Sequence, residues 1–258
     1  RYALPVPPAV AGPADHCQDI PAVHAFFPAP VTSLSGSAMP LLIVVPVRAG
    51  SKRLPDKHVR PLLGQTLLER TARQIAESGL SATVLLTTDS PELAEAGRRL
   101  GWSAPFLRPA ALADDRASTV DAVLHALEWF RDDRGTDPEV TLLVQVTSPL
   151  RRPERLAAAV ELLNGNEAFD AVVGVTQAAP SSEYLMVRSD HGLTPVRMHH
   201  QGPIYRLNGA VYAIRTRALR HHRSFVQPHT YPLEMPAAES VDVDDIQDWM
   251  LAETILAR

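Results

Sequence analysis

Five short, unbroken apolar runs constrain this chain more than any other feature: "LLIVVPV" (41–47), "TVLLTT" (83–88), "VTLLVQV" (140–146), "DAVVGV" (170–175) and "GAVYAI" (209–214). They are rich in β-branched residues and show no polar alternation, so each predicts a strand buried on both faces. Helical patterns separate them. In "TLLERTARQIAES" (66–78), Thr66 and Glu69 predict a capping box, Leu68, Ala72 and Ile75 share a face, and Gly79 ends the helix. Ser90-Pro91-Glu92 opens a second helix with a capping hydroxyl and a first-turn proline. Ser118 and Asp121 open a third, with Val120, Leu124, Leu127 and Phe130 pointing one way. Pro153 starts a fourth, and the chain closes with a helix near 244–257. Such alternation predicts an α/β fold with a mostly parallel sheet covered on both faces. Ligands of such sheets bind beyond the carboxyl ends of the strands, where Arg48, Asp89 and Gln145 fall. The stretch from 176 to 207 breaks the rhythm and reads as an insertion.

The first 38 residues carry seven prolines and little periodicity. They lack the pattern of a signal or transit peptide and read as a disordered leader or non-native extension, with Met39 opening the domain proper. The single cysteine, Cys17, lies in that leader. The expected domain, 39–258, therefore has no disulfide, thiolate-bound zinc or cysteine nucleophile. A net charge of −4 gives no footprint for nucleic acid. No apolar run approaches the about 18–20 residues that span a bilayer. A cytoplasmic protein without nucleic-acid or membrane partners is the expectation.

Of 25 basic side chains only Lys52 and Lys57 are lysine, and both lie in "RAGSKRLPDK" (48–57). Lysine is a compact point charge that fits against one phosphate oxygen, whereas arginine is a planar fork. Arg48, Lys52, Arg53, Lys57 and Arg60 surround Ala49-Gly50-Ser51, small residues whose amides can face an anion. The pattern matches neither common Gly-rich phosphate motif. A triphosphate site and a solvated basic loop both accommodate it.

Residues 46–68, "PVRAGSKRLPDKHVRPLLGQTLL", resemble the N-terminal signature of the CMP-N-acylneuraminate synthetases. "TTD" (87–89), "LRPAALADDRAST" (107–119), "QVTSPLR" (145–151), "YRLNGAVY" (205–212) and "SVDVDD" (240–245) resemble the same family in order. The resemblance implies a three-layer nucleotidyltransferase fold with a Rossmann-like sheet, a homodimer whose arm is the inserted segment 176–207, and Mg²⁺ as cofactor. It implies transfer of CMP from CTP to the anomeric hydroxyl of a sialic-type (nonulosonic) acid, with loss of pyrophosphate. Alternatives are an acceptor such as 3-deoxy-manno-octulosonate, a sugar 1-phosphate, or a nucleotide-binding module without turnover.

By the same resemblance Arg48 and Lys57 hold the triphosphate, and the amides of Ala49, Gly50 and Ser51 join them. Arg108 and Ser118 lie near the cytidine, although Ser118 also reads as a plain helix cap. Gln145 reads the base or the sugar. His58, Asn208 and Tyr212 face the acceptor, with strand packing the other reading of Tyr212. Asp242 and Asp244 alternate in an extended segment, so their carboxylates share a side and suit one hard cation. Asp244 could instead cap the last helix, with Gln247 three residues on. Asp89 is a secondary candidate. Lys57, Arg48 and Asp244 are the expected catalytic set. The paired histidines His199–His200 and His221–His222 read as surface residues. Departures from the family pattern fall on the acceptor side: His58 replaces an asparagine, Glu183 stands where a base is usual, and the arginine expected near Met198 is absent unless Arg197 serves.

Overall fold

Leu41–Pro46 (β1), the first apolar run, lies at the heart of the sheet, with Leu42 through Val45 fully buried. Burying each such side chain contributes about 1.5–3 kcal/mol, and alternate residues feed two cores. Ile43 and Val45 enter one; Leu42 and Val44 enter the other. The computed structural model describes residues 40–50, 53–114, 117–178, 186–189, 192–195 and 203–258. The leader, Ser51, Lys52, Glu183, Arg197, Met198, His199 and His200 lie outside the described residues.

β1 pairs in parallel with Thr83–Thr87 (β4) and Val140–Leu143 (β5). Two strands absent from the sequence reading, Pro61–Leu62 (β2) and Gln65–Thr66 (β3), form a small hairpin before β4. Ala171–Gln177 (β6) lies parallel to a further unexpected strand, Thr230–Glu234 (β10). Tyr205–Arg215 (β9) joins the two halves, antiparallel to both β5 and β6, and the sheet order is β10-β6-β9-β5-β1-β4. Within the expected insertion, Met186–Ser189 (β7) and Gly192–Pro195 (β8) form a separate hairpin.

Helices cover both faces. Leu67–Glu77 (α1), Pro91–Arg99 (α2), Pro153–Gly165 (α4) and Ile246–Leu256 (α6) supply one core; Thr119–Arg134 (α3) and Thr216–His222 (α5) supply the other. The capping box of Thr66 and Glu69 forms as the sequence predicts, as does the Ser90 cap. The last helix falls within the expected 244–257, but the alternative reading of Asp244 as its cap does not hold. Its cap is Asp245, whose Oδ1 accepts from the amides of Gln247 and Asp248, with Asp248 reciprocating. Asp244 stands one residue outside the cap.

Strand β5 ends three residues sooner than its apolar run. The Gln145 carbonyl is taken by Arg151 instead of a ladder partner, and β9 bulges opposite Gly174, where the register jumps between Val173 and Val175. Gly209, with φ +74°, carries that bulge in the left-handed region.

Candidate active site

The site lies at the carboxyl ends of β1, β4 and β5, on loops that each strand end releases. After β1, Val47 donates to the Thr87 carbonyl at 3.0 Å, and Leu54 anchors the loop in the core. Asp56, at φ +55°, accepts from the amides of Val59 and Arg60 at 3.0 and 2.9 Å. That tight turn drives Lys57 inward to 7% exposure. Its Nζ donates to the Val243 carbonyl at 3.0 Å and to Asp244 Oδ1 at 3.1 Å. Arg53 takes the other oxygen of the same carboxylate, Oδ2, at 2.5 Å. Lys57 is therefore no surface lysine: it is a buried cation sharing one carboxylate with an arginine.

A cavity of about 410 Å³ opens above this group, lined among others by Arg48, Arg53, Lys57, His58, Arg108, Thr119, Gln145 and Thr147. Arg48 donates to the Asp114 carbonyl at 3.2 Å. Gly50 follows with φ +76°, a conformation that favours glycine. The expectation that Ala49 lends its amide to an anion is overturned, because that N–H already donates to Asp89 Oδ1 at 2.8 Å. Asp89 so acquires a loop-holding role. Arg60 leaves the cation cluster altogether and lies over the Trp249 ring at 5.2 Å.

Arg108 is buried, not a solvated loop residue. It donates to Thr87 and to the Val47 carbonyl, tying the ends of β1 and β4 together beneath the cavity. Burial lowers its pKa, with Asp89 opposing. Ser118 is the cap of α3, accepting from the Val120 amide at 3.1 Å, and its neighbour Thr119 lines the cavity.

Asn208 departs from its expected place. It is 1% exposed and donates to Met235 Sδ and Ser240 Oγ, while its Oδ1 accepts from the Ala210 amide. It holds the β9 bulge against the 235–240 segment and does not reach the cavity wall. Tyr212 is mostly buried, its ring 5.4 Å from that of Phe225, and burial followed by Asp242 raises its pKa. Strand packing accounts for the ring.

In residues 241–244, which lie in no strand or helix, Val241 and Val243 are buried and Asp242 and Asp244 are partly exposed. Val243 donates to the Thr147 carbonyl at 2.7 Å, fastening this segment to the loop after β5. Burial pushes the Asp242 carboxyl above its ordinary value; a hydrogen bond with Thr147 opposes this and Asp244 reinforces it. Asp242 Oδ1 is buried with no hydrogen-bond partner, an arrangement that suits an oxygen made to meet a cation. No cluster of three or more His, Cys, Asp or Glu occurs among the described residues. Two carboxylates with phosphate oxygens and water form a usual Mg²⁺ donor set, so the residues fit that ion. His221 and His222 lie exposed on α5, as the sequence predicts.

His58 lines the cavity at 8% exposure, and its Nδ1 has no partner. Burial first, then Lys57 and Arg48, lowers its pKa from 6.5 to about 4. The folded chain thus resists a proton that the unfolded chain accepts. This contribution is full above pH 6.5 and is lost as pH falls towards 4, by about 3 kcal/mol over the window. His58→Gln is expected to flatten that loss. Urea unfolding at pH 7, 5.5 and 4.5 checks it: a stability difference between variant and wild type that does not change with pH would refute the assignment.

Sequence reading passed over Arg53, Thr119, Thr147 and Arg151 as site residues. Arg53 was visible only as one cation of a cluster, and Arg151 only as the last letter of "QVTSPLR".

The fold is that of the α/β nucleotidyltransferases. It matches, over 84% of this chain and 98% of the other, the structure of a CMP:2-keto-3-deoxy-manno-octonic acid synthetase complexed with CTP, at TM-score 0.63 and 15% identity, a likeness of fold alone. The cytidylyltransferase family model matches residues 42–232, and the chain belongs to that family. It is 32% identical over 225 residues to the CMP-N,N'-diacetyllegionaminic acid synthase of Legionella pneumophila, covering 84% of this chain and 97% of that protein. It is 30% identical to the N-acylneuraminate cytidylyltransferase of Escherichia coli, covering 83% of this chain and 52% of that longer protein.

Proposed function

We propose that the chain transfers CMP from CTP to the anomeric hydroxyl of a nonulosonic acid. The observation that carries this reading is the cation cluster of Arg48, Arg53 and Lys57 lining one cavity, with Asp244 paired to both Arg53 and Lys57, in a chain whose relatives make CMP-activated acids of this class. The hydroxyl oxygen attacks the α-phosphorus, the bond to the bridging oxygen breaks, and pyrophosphate leaves. Such a transfer asks for positioning and charge neutralisation more than covalent help. Lys57 supplies a desolvated point charge for the α-phosphate and leaving group, and Arg48 and Arg53 hold the outer phosphates. Gln145, at the cavity wall, orients the base or the sugar, and neutral His58 offers a hydrogen bond without adding charge. Asp242 and Asp244 would hold Mg²⁺, which supplies charge neutralisation on the phosphates when bound.

On this reading residues 39–258 form a cytoplasmic catalytic domain that works as a homodimer through the 176–207 arm. Among the described residues no helix is long and apolar enough to cross a membrane.

The test is pyrophosphate release from CTP with Mg²⁺ across a panel of free nonulosonic acids, 3-deoxy-manno-octulosonate and one sugar 1-phosphate. Release with a nonulosonic acid, abolished by chelator, is expected. Release with the sugar phosphate alone would replace the reading, and bound CTP without release from any acceptor would leave a binding module.

A further inference from the structure

Arg151 follows the turn after β5 and is 1% exposed. No carboxylate among the described residues pairs with it, and its Nε has no hydrogen-bond partner. Burial alone lowers its pKa to about 9. A buried guanidinium without a counter-charge is costly, and an apolar side chain of similar volume would often fold as well or better. Locally unfavourable residues of this kind tend to mark functional sites, so what Arg151 holds is informative.

Its Nη1 donates to two carbonyls at once, Gln145 at 3.1 Å and Ala210 at 2.7 Å. Nη2 donates to Gln74 Oε1 at 2.7 Å, and Gln74 Nε2 turns back to the carbonyls of Pro149 and Arg151. One nitrogen therefore ties the loop after β5 to the bulge of β9. At that tie the side chain of Gln145 crosses over Gly209. A Cβ on Gly209 would sit 2.8 Å from Gln145 Oε1 and 3.5 Å from Asp242 Oδ2. The amide, the bare glycine and the acidic segment share one small volume, whose width is fixed by the two carbonyls on Arg151.

We propose that Arg151 is a positioning residue for the transfer: by clamping the Gln145 and Ala210 carbonyls it sets the Gln145 amide against Gly209 and Asp242, where that amide meets the nucleotide or the acceptor. The inference rests on the function proposed above. A purely structural arginine would instead affect only how much of the protein is folded.

The full chain is compared as wild type, Gln145→Ala, Arg151→Lys and the double variant. CTP affinity with Mg²⁺, acceptor KM, kcat and melting temperature are measured for each. Lysine keeps the charge but cannot span both carbonyls and Gln74. Should it fail to fold, Arg151→Met with Gln74→Leu removes the network as a unit. Gln145→Ala is expected to raise one constant, CTP Kd or acceptor KM, by about tenfold, the lower end for loss of a supporting partner. Arg151→Lys should raise the same constant by a similar factor, and the double variant should be no worse than the worse single one. Factors that multiply in the double variant would overturn the inference. So would a drop in kcat alone with wild-type Kd and KM, or a Gln145→Ala enzyme with wild-type constants. Wild-type protein that binds CTP without turnover would end the proposed function but leave this inference to be decided on CTP affinity. Wild-type protein that binds no CTP would sink both.

Discussion

Lys57→Arg is expected to remain folded and to lose about 10²- to 10³-fold in turnover, the usual effect of removing one preorganised group that stabilises developing charge. The lysine is 7% exposed, and its Nζ meets the Val243 carbonyl and Asp244 at 3.0 and 3.1 Å. A guanidinium is wider and planar. It cannot enter that space without displacing Asp244 or lying outside it, and either choice moves the charge away from the α-phosphate. Overpacking of this kind costs about 1–3 kcal/mol, which a domain of this size withstands. Pyrophosphate release at saturating CTP, with a thermal melt alongside, decides the matter. Wild-type turnover would show that any cation serves there.

Asp244→Asn has the second large effect, visible without turnover. In this structure one carboxylate neutralises both Lys57 and Arg53, the cations that a triphosphate would need. On the proposed function, CTP binding displaces Asp244, and the Mg²⁺ proposed for Asp242 and Asp244 would give the displaced carboxylate somewhere to go. The variant is expected to bind CTP about tenfold more tightly than wild type in chelator. It should also need more Mg²⁺ for turnover, because it contributes one charge fewer to the metal. Asp244 is 39% exposed and Arg53 65%, so the pair with Arg53 contributes at most about 1 kcal/mol to stability; the pair with Lys57, whose side chain is 9% exposed, costs more to lose, although Lys57 keeps the Val243 carbonyl as a partner. The cap of α6 is Asp245, so the helix keeps its start and the melting temperature should fall only by the cost of the Lys57 pair. Unchanged metal-free affinity would mean that the carboxylate does not compete for these cations, and a large loss of melting temperature would return Asp244 to a structural role.

What could be read from sequence follows a physical division. Local signals held: the apolar run of β1, the capping box of Thr66 and Glu69, the proline start of α2. Each depends on residues within one turn or one strand of each other. Failures arose where a partner lies far along the chain. The alternative reading of Asp244 as the helix cap fell to its neighbour Asp245, while Asp244 pairs with Lys57, nearly two hundred residues away. Asn208 looked like a pocket residue until Met235 and Ser240 closed over it. Ala49 looked like a free amide until Asp89 reached it from the next strand end. Arg151 carries no local mark at all. Strand β9 read correctly as a strand, but its direction is set by the strands on either side, which pattern alone does not encode.

That reversed strand has a consequence for how the chain is made. Strands β1, β4 and β5 and their helices are complete once synthesis passes Leu143, yet the open edge of β5 has no neighbour until Tyr205–Arg215 emerges. Strand β6 cannot stand in, because its own place is on the far side of β9. A nascent chain at that stage presents open apolar strand edges on β5 and β6, the setting in which intermolecular pairing begins. Arrival of β9 closes the β5 edge and one edge of β6, whose other edge waits for β10; it also brings Ala210 to Arg151 and precedes by a few dozen residues the acidic segment that meets Lys57. A chain stalled before Tyr205 would thus be prone to aggregate and would lack the acidic segment that pairs with Lys57.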